Sequence, residues 1–263
     1  MLGAIVGDII GSPYEFGSDK VKDFELFVTD CRPTDDSVMT IAVGCACAEA
    51  DCLDEEEFKE ALIRNMREIG RCYPDAGYGA FFYDWLMDDE AGPYGGFTNG
   101  SAMRVSPVAW ALDTLEDVEQ AAQWSAEITH SHPAGIRGAK AIAASTFLAR
   151  TGESKEEIRR YIEEEYYDLD FTLDEIRPGY KHDMTCEGSV PQAIICFLES
   201  EDFEDAIRNA ISLGGDGDTL AAMAGAIAEA YYGIPEEIEE QAFYYMDDQL
   251  KDYYLPGAEP LRG

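Results

Sequence analysis

Positive charge is what this 263-residue chain has least of: 19 Lys and Arg stand against 54 Asp and Glu, a formal net charge of −35. That balance excludes direct recognition of nucleic acid, which depends on basic side chains neutralising phosphates. It also argues against docking on an anionic membrane. For most of the acids a solvated surface is the simplest role, although together they concentrate cations around the protein. Long apolar runs are missing too. The stretch Ile41 to Ala48 is far too short to span a bilayer. Met1 to Val6 is apolar, but no basic segment precedes it and Asp8 interrupts it, so no leader is expected. The seven cysteines are an odd number without a CxxC pair. This composition reads as free thiols in a reducing cytoplasm, with neither a disulfide framework nor a zinc site.

Strict apolar–polar alternation, internal repeats, low-complexity tracts and linker-like segments are absent as well. With strands excluded by periodicity and 46% hydrophobic residues to fill a core, the expectation is one all-α domain over residues 1–263, a cytoplasmic monomer.

What the sequence does have is acid-rich helix starts. Gly214-Gly215-Asp216-Gly217-Asp218-Thr219 runs straight into the small-residue stretch Leu220 to Glu229. Its glycines permit a sharp turn and a close approach. Two carboxylates one residue apart plus a hydroxyl are the hard oxygen donors that Mg²⁺, Mn²⁺ or Ca²⁺ prefer. Asp218 or Thr219 would serve equally well as a cap for the following helix. An EF-hand is excluded, because the fifth and twelfth positions counted from Asp216 are Leu220 and Ile227. The same chemistry occurs earlier, in Arg32-Pro33-Thr34-Asp35-Asp36-Ser37 ahead of an apolar helix, where acids also complement the helix dipole. The repetition favours metal binding. Four carboxylates brought together repel unless cations neutralise them, and two divalent ions would supply the charge. Further upstream, Asp8 and Glu15 flank a Gly/Pro break. They would be caps, or Glu15, between Tyr14 and Phe16, a carboxylate held in a pocket.

The remaining segments read as helices and connectors. Residues 54–71 open with acids and carry Phe58, Leu62, Ile63 and Met66 at helical spacing. Tyr78 to Met87 is a short aromatic helix suited to the core. Residues 91–100 form a Gly-rich loop before an apolar segment, and backbone N–H groups in such a loop can cradle phosphate. Capping patterns open Thr114 to Ile128 and Ser154 to Tyr166. His130 sits at a helix end before Pro133, a candidate site residue. Ala134 to Arg150 is a helix of small residues, and 167–188 is turn-rich and irregular. Ser189-Val190-Pro191 starts a helix with Pro near its first turn, Asp202 to Leu213 delivers the chain to the Gly-Asp loop, and Pro235 to Tyr254 is one acidic amphipathic stretch.

Five blocks taken in order, Gly7-Asp8-(x2)-Gly11-(x3)-Glu15, Thr34-Asp35-Asp36, Asn99-Gly100-Ser101-Ala102-Met103-Arg104, Thr129-His130-(x2)-Pro133 and Gly-Gly-Asp-Gly-Asp-Thr, resemble the ADP-ribosylglycohydrolase family. The resemblance implies an orthogonal helix bundle with two divalent cations, Mg²⁺ or Mn²⁺, in a central cleft. Thr34, Asp35 and Asp36 would ligate from one side, and Asp216, Asp218 and Thr219 from the other. It implies as substrate an ADP-ribosylated protein or small ADP-ribose conjugate, attacked at the anomeric carbon of the distal ribose. Glu15 and Asp36 would be catalytic. Asn99, Gly100 and Ser101 would hold the diphosphate, with Met103 also binding substrate and His130 contributing to the cleft. Some arginine-directed relatives carry an acid in the loop before this Asn, and Tyr94 to Thr98 has none. Glu15 or a metal-bound water would then do that work, and in Asn-Gly-Ser-Ala-Met-Arg the chain looks closer to the branch acting on O-linked ADP-ribose. A two-metal phosphohydrolase and a non-catalytic family member are the rival readings.

Overall fold

The computed structural model describes residues 1–15, 17 and 20–258. Among them the chain forms α1 (Leu2–Gly11), α2 (Asp35–Glu49), α3 (Glu55–Cys72), α4 (Ala80–Met87), α5 (Gly100–Met103), α6 (Val108–Ala111), α7 (Leu115–Glu127) and α8 (Pro133–Arg150). It continues through α9 (Lys155–Glu165), α10 (Leu173–Ile176), α11 (Cys186–Leu198), α12 (Phe203–Leu213), α13 (Gly217–Tyr232), α14 (Glu236–Tyr245) and α15 (Asp248–Ala258). No strand occurs among the described residues; the one β-type pairing is an isolated bridge between Thr98 and Thr185. The expected all-α domain is what the chain forms.

The bundle is built around α13, which packs on α1, α8, α11 and α12 and reaches α2 and α5. Its residues from Gly217 to Ala228 are all buried. Mostly Ala and Gly, they let neighbouring backbones approach closely. On α1 this closeness becomes contact. Gly3, Gly7 and Gly11 recur every fourth residue and so line one face. A Cβ added at Gly7 would lie 2.1 Å from the Ala221 carbonyl oxygen, and one at Gly11 2.5 Å from the Cα of Asp218. The glycine face of α1 therefore seats Asp8, one residue past Gly7, beside the start of α13.

Several helices begin where their caps predict. Asp54 accepts from Glu57 N on α3, Thr114 from Asp117 N on α7, and Ser154 and Glu157 complete a capping box on α9. Three segments differ from expectation. The 167–188 stretch contains α10, whose own capping box pairs Thr172 with Glu175. Helix α11 starts at Cys186, not Ser189, because Thr185 accepts from Gly188 N; Pro191 is thus inside the helix. The 235–254 stretch is two helices, since the Asp247 carboxylate accepts from Leu250 N at 2.7 Å and starts a new one. On α4 the aromatic residues divide: Phe82 and Trp85 enter the core while Phe81 stays 74% exposed.

Candidate active site

The acid clusters separated by some 180 residues in sequence are brought together by the N-termini of α2 and α13. The side chains of Thr34, Asp36, Asp216, Asp218 and Thr219 are all buried, and the Thr219 hydroxyl donates to Asp36 Oδ2 at 3.3 Å, joining the two helix starts. Carboxylate oxygens of Asp8, Asp36 and Asp218 lie within 4.8 Å of one another, and so do those of Glu15, Asp216 and Asp218.

The N-cap side chains of the two clusters are not spent on capping. Thr34 and Asp216 occupy the N-cap positions of α2 and α13, yet neither side chain makes a cap hydrogen bond. For α2 that work is done from another helix. Asp8, fully buried on α1, accepts from Thr34 N at 2.8 Å and Ser37 N at 3.0 Å, and from the hydroxyls of Thr34 and Ser37. With four donors on its two oxygens, Asp8 is the template that shapes the 34–37 turn. The Thr34 hydroxyl lies 2.6 Å from Asp8 Oδ1 and 3.4 Å from Asp36 Oδ2, within donating distance of both carboxylates. Asp36 Oδ1 is buried and has no hydrogen-bond partner.

The electrostatics follow from this crowding. Burial raises the proton affinity of Asp36 well above the ordinary carboxylate range, and the next four influences are all carboxylates: Asp8, Asp218, Asp35 and Asp216. Burial and then Asp216 and Asp8 raise Asp218 in the same way. Asp35 is pushed up to about 8 by burial and the charges of Asp8 and Asp216. Glu15, half-buried at the edge of the cluster, is raised by burial and by Asp216, against the opposing charges of His182 and Arg32. Such a set cannot all ionise at neutral pH without added positive charge.

The profile of the ADP-ribosylglycohydrolase family matches residues 1–255. The chain belongs to that family. It is 30% identical to the ADP-ribosylhydrolase ARH3 of Bos taurus, with 95% of this chain and 89% of that protein covered. To the ADP-ribosylarginine hydrolase Tri1 of Pseudomonas putida it is 28% identical over 92% of this chain and 73% of that protein. Among solved structures, an ADP-ribosylglycohydrolase-related protein complex superimposes with a TM-score of 0.71 at 22% identity, covering 99% of this chain and 95% of that one; it bears on the fold.

Against this family background, the ADP-ribosylglycohydrolase blocks of the sequence occupy distinct shells. Glu15, Thr34, Asp35, Asp36, Asp216, Asp218 and Thr219 converge on one acidic centre, joined by Asn99, whose Nδ2 donates to Asp216 Oδ2 at 2.6 Å. Ser101, Met103 and His130 lie behind it. The Ser101 hydroxyl donates to the Gly135 carbonyl at 2.8 Å, Met103 joins the core, and His130 is 2% exposed. Gly100 remains half-buried at the surface of the turn. Phe16, expected to flank Glu15, lies outside the described residues. Sequence reasoning missed two participants. Asp8 was weighed as a cap but not as the hub of a turn 26 residues away. His182, in the irregular 167–188 stretch, carries no local signal. Its charge faces Glu15 and Asp216, and a Cβ on Gly215 would come within 3.1 Å of its Cα. Lys20 Nζ ties the segment that carries His182 to the N-terminal part of the chain, donating to the carbonyls of Arg177 and Tyr180 at 2.7 and 2.5 Å.

Proposed function

We propose that this protein is a divalent-metal-dependent hydrolase that releases ADP-ribose from a modified protein side chain or small conjugate. The observation that carries the reading is the meeting of two hydroxyl–carboxylate sets with a buried, unpartnered oxygen on Asp36. The donor set fits two hard cations: it is all oxygen, it is heavily anionic, and its N-cap side chains are withheld from their own helices. Thr34, Asp35 and Asp36 would hold the ions from α2, and Asp216, Asp218 and Thr219 from α13, with Mg²⁺ or Mn²⁺ the expected metal. When bound, such ions polarise ribose hydroxyls and orient water.

The chain's own groups supply the rest. Asn99, tied to Asp216, fixes the turn whose next two amides, Gly100 and Ser101, open α5 and so lack intrahelical acceptors; they are donors for the diphosphate. Phe97, 50% exposed beside that turn, offers a flat apolar face to the nucleobase. The Glu15 carboxylate, with its raised proton affinity, takes the proton from a water attacking the anomeric carbon. The bond from that carbon to the acceptor breaks, and the departing oxygen or nitrogen takes up a proton. The Asn99-Gly100-Ser101-Ala102-Met103-Arg104 block, which resembles the O-linked branch, favours an O-linked acceptor. Incubation with Ser-, Arg-, acetyl- and nucleic-acid-linked ADP-ribose conjugates, read by mass spectrometry, should release intact ADP-ribose, most rapidly from an O-linked conjugate. Release of inorganic phosphate or AMP instead would make the protein a phosphohydrolase, and no turnover of any conjugate would make it a binding protein.

A further inference from the structure

Arg104 stands apart from the other cations among the described residues. It is the largest fully buried side chain among the described residues, and both of its hydrogen-bond acceptors are neutral: the Ser125 carbonyl at 3.1 Å and the Thr129 hydroxyl at 2.8 Å. Its Nε and Nη1 meet no protein acceptor, and its guanidinium lies 5.5 Å from the centre of the Phe82 ring. Burial pulls its pKa down to about 10, so it remains a cation at neutral pH. A buried charge without an acid partner is costly to desolvate, a cost that a packing role alone does not require.

The contacts beyond Arg104 run in one direction. A guanidinium can only donate, so Thr129 Oγ1 accepts from it and has its own proton left for another partner. That proton can go to His130 Nδ1, at 2.8 Å, with the Tyr94 phenol, which also bonds Thr129, donating to the hydroxyl's second lone pair. An imidazole accepting at Nδ1 carries its proton on Nε2 when neutral, and Nε2 lies 3.0 Å from the Thr98 hydroxyl. Burial and the charge of Arg104 hold His130 well below its usual pKa, in the neutral form. The ring also buttresses the loop around Thr98. A Cβ on Gly96 would lie 2.6 Å from His130 Cδ2, and one on Gly100 3.1 Å from Nε2. Thr98 is followed by Asn99, which is bonded to Asp216.

We propose that Arg104 is a positioning residue: through Thr129 it sets His130 in the Nε2–H tautomer, and that imidazole holds Thr98 and the 96–100 loop in register for the substrate's diphosphate. The inference deepens the ADP-ribose reading and rests on it for the ligand's identity, but the tautomer itself does not. Thr129 separates hydroxyl from shape. Thr129→Val keeps the volume and removes the hydroxyl, while Thr129→Ser does the reverse. With three histidines in the chain, long-range ¹H–¹⁵N correlation of the imidazoles identifies His130 directly. The wild type should show an unprotonated Nδ1 and a protonated Nε2. Thr129→Val should give mixed tautomers and ADP-ribose affinity weaker on the order of tenfold, with Thr129→Ser close to wild type in both. A wild-type His130 protonated at Nδ1 overturns the proposal, and so does the inverse order, Val like wild type and Ser weakened, which marks a packing role. If ADP-ribose fails to bind the wild type, the functional reading falls while the tautomer result still decides the relay.

Discussion

At the scale of single residues, two carboxylates near the start of the chain, Asp8 and Glu15, carry different duties. Asp8 accepts four bonds from one turn, whereas Glu15, raised in proton affinity, is half-buried at the edge of the acidic cluster. Substituting each should separate structure from chemistry. Glu15→Gln retains size and hydrogen-bonding shape, so melting temperature and ADP-ribose affinity should hold while turnover falls by roughly 10²–10⁴, the usual contribution of a positioned acid–base group. Near-normal turnover would reduce Glu15 to a bystander. Asp8→Ala strands two buried backbone donors, each worth about 1–3 kcal/mol when left unpaired. Urea denaturation at saturating Mg²⁺ should show that loss, whereas full stability would mean the 34–37 turn forms without Asp8. The acidic clusters were legible because a hydroxyl and two acids recur at two helix starts. The Asp8 hub was not, because its partners are set by a helix crossing and not by neighbours in sequence.

At the scale of elements, the decisive feature is the contact of α1 with α13. The glycine face of α1 permits a backbone separation that no side chain tolerates, and this separation sets Asp8 against the cluster. Gly7→Ala would place a methyl group 2.1 Å from the Ala221 carbonyl. Forced overpacking typically costs about 1–3 kcal/mol and occasionally more, so this variant should lose stability and metal affinity together. Gly233→Ala has open space around it but a φ of +75°, and should lose stability alone. Equal metal affinity in Gly7→Ala and wild type would show that the crossing does not shape the site. Helices α3, α7 and α9 could be read from their caps because capping is local. The break at Asp247 and the early start of α11 at Thr185 used the same cap chemistry but lay within stretches whose composition suggested continuity. The inward placement of His130 depends on how α7 and α8 meet around Arg104, which periodicity cannot supply.

At the scale of the whole molecule, the charge of −35 and the buried acids make stability a function of pH and cations. The raised carboxylates bind more protons folded than unfolded between their ordinary value near 3.8 and, for Asp35, about 8. The sign is therefore fixed: metal-free stability falls as pH rises through that window. Divalent ions bound at the proposed centre would replace the protons, so the stabilisation by metal should grow with pH, reaching roughly 2.7 kcal/mol at free metal about 100 times its dissociation constant. Melting curves with Mg²⁺ and with chelator across pH 5 to 8 check this; a constant difference would contradict it. No helix among the described residues is long and apolar enough to cross a membrane. The account turns on two helix starts forming one metal centre, and calorimetric titration of Mg²⁺ or Mn²⁺ tests that most directly. The wild type should bind two ions, and both Asp36→Ala and Asp218→Ala should lose tight binding although they alter different helices. Wild-type stoichiometry in both variants would contradict the two-metal centre.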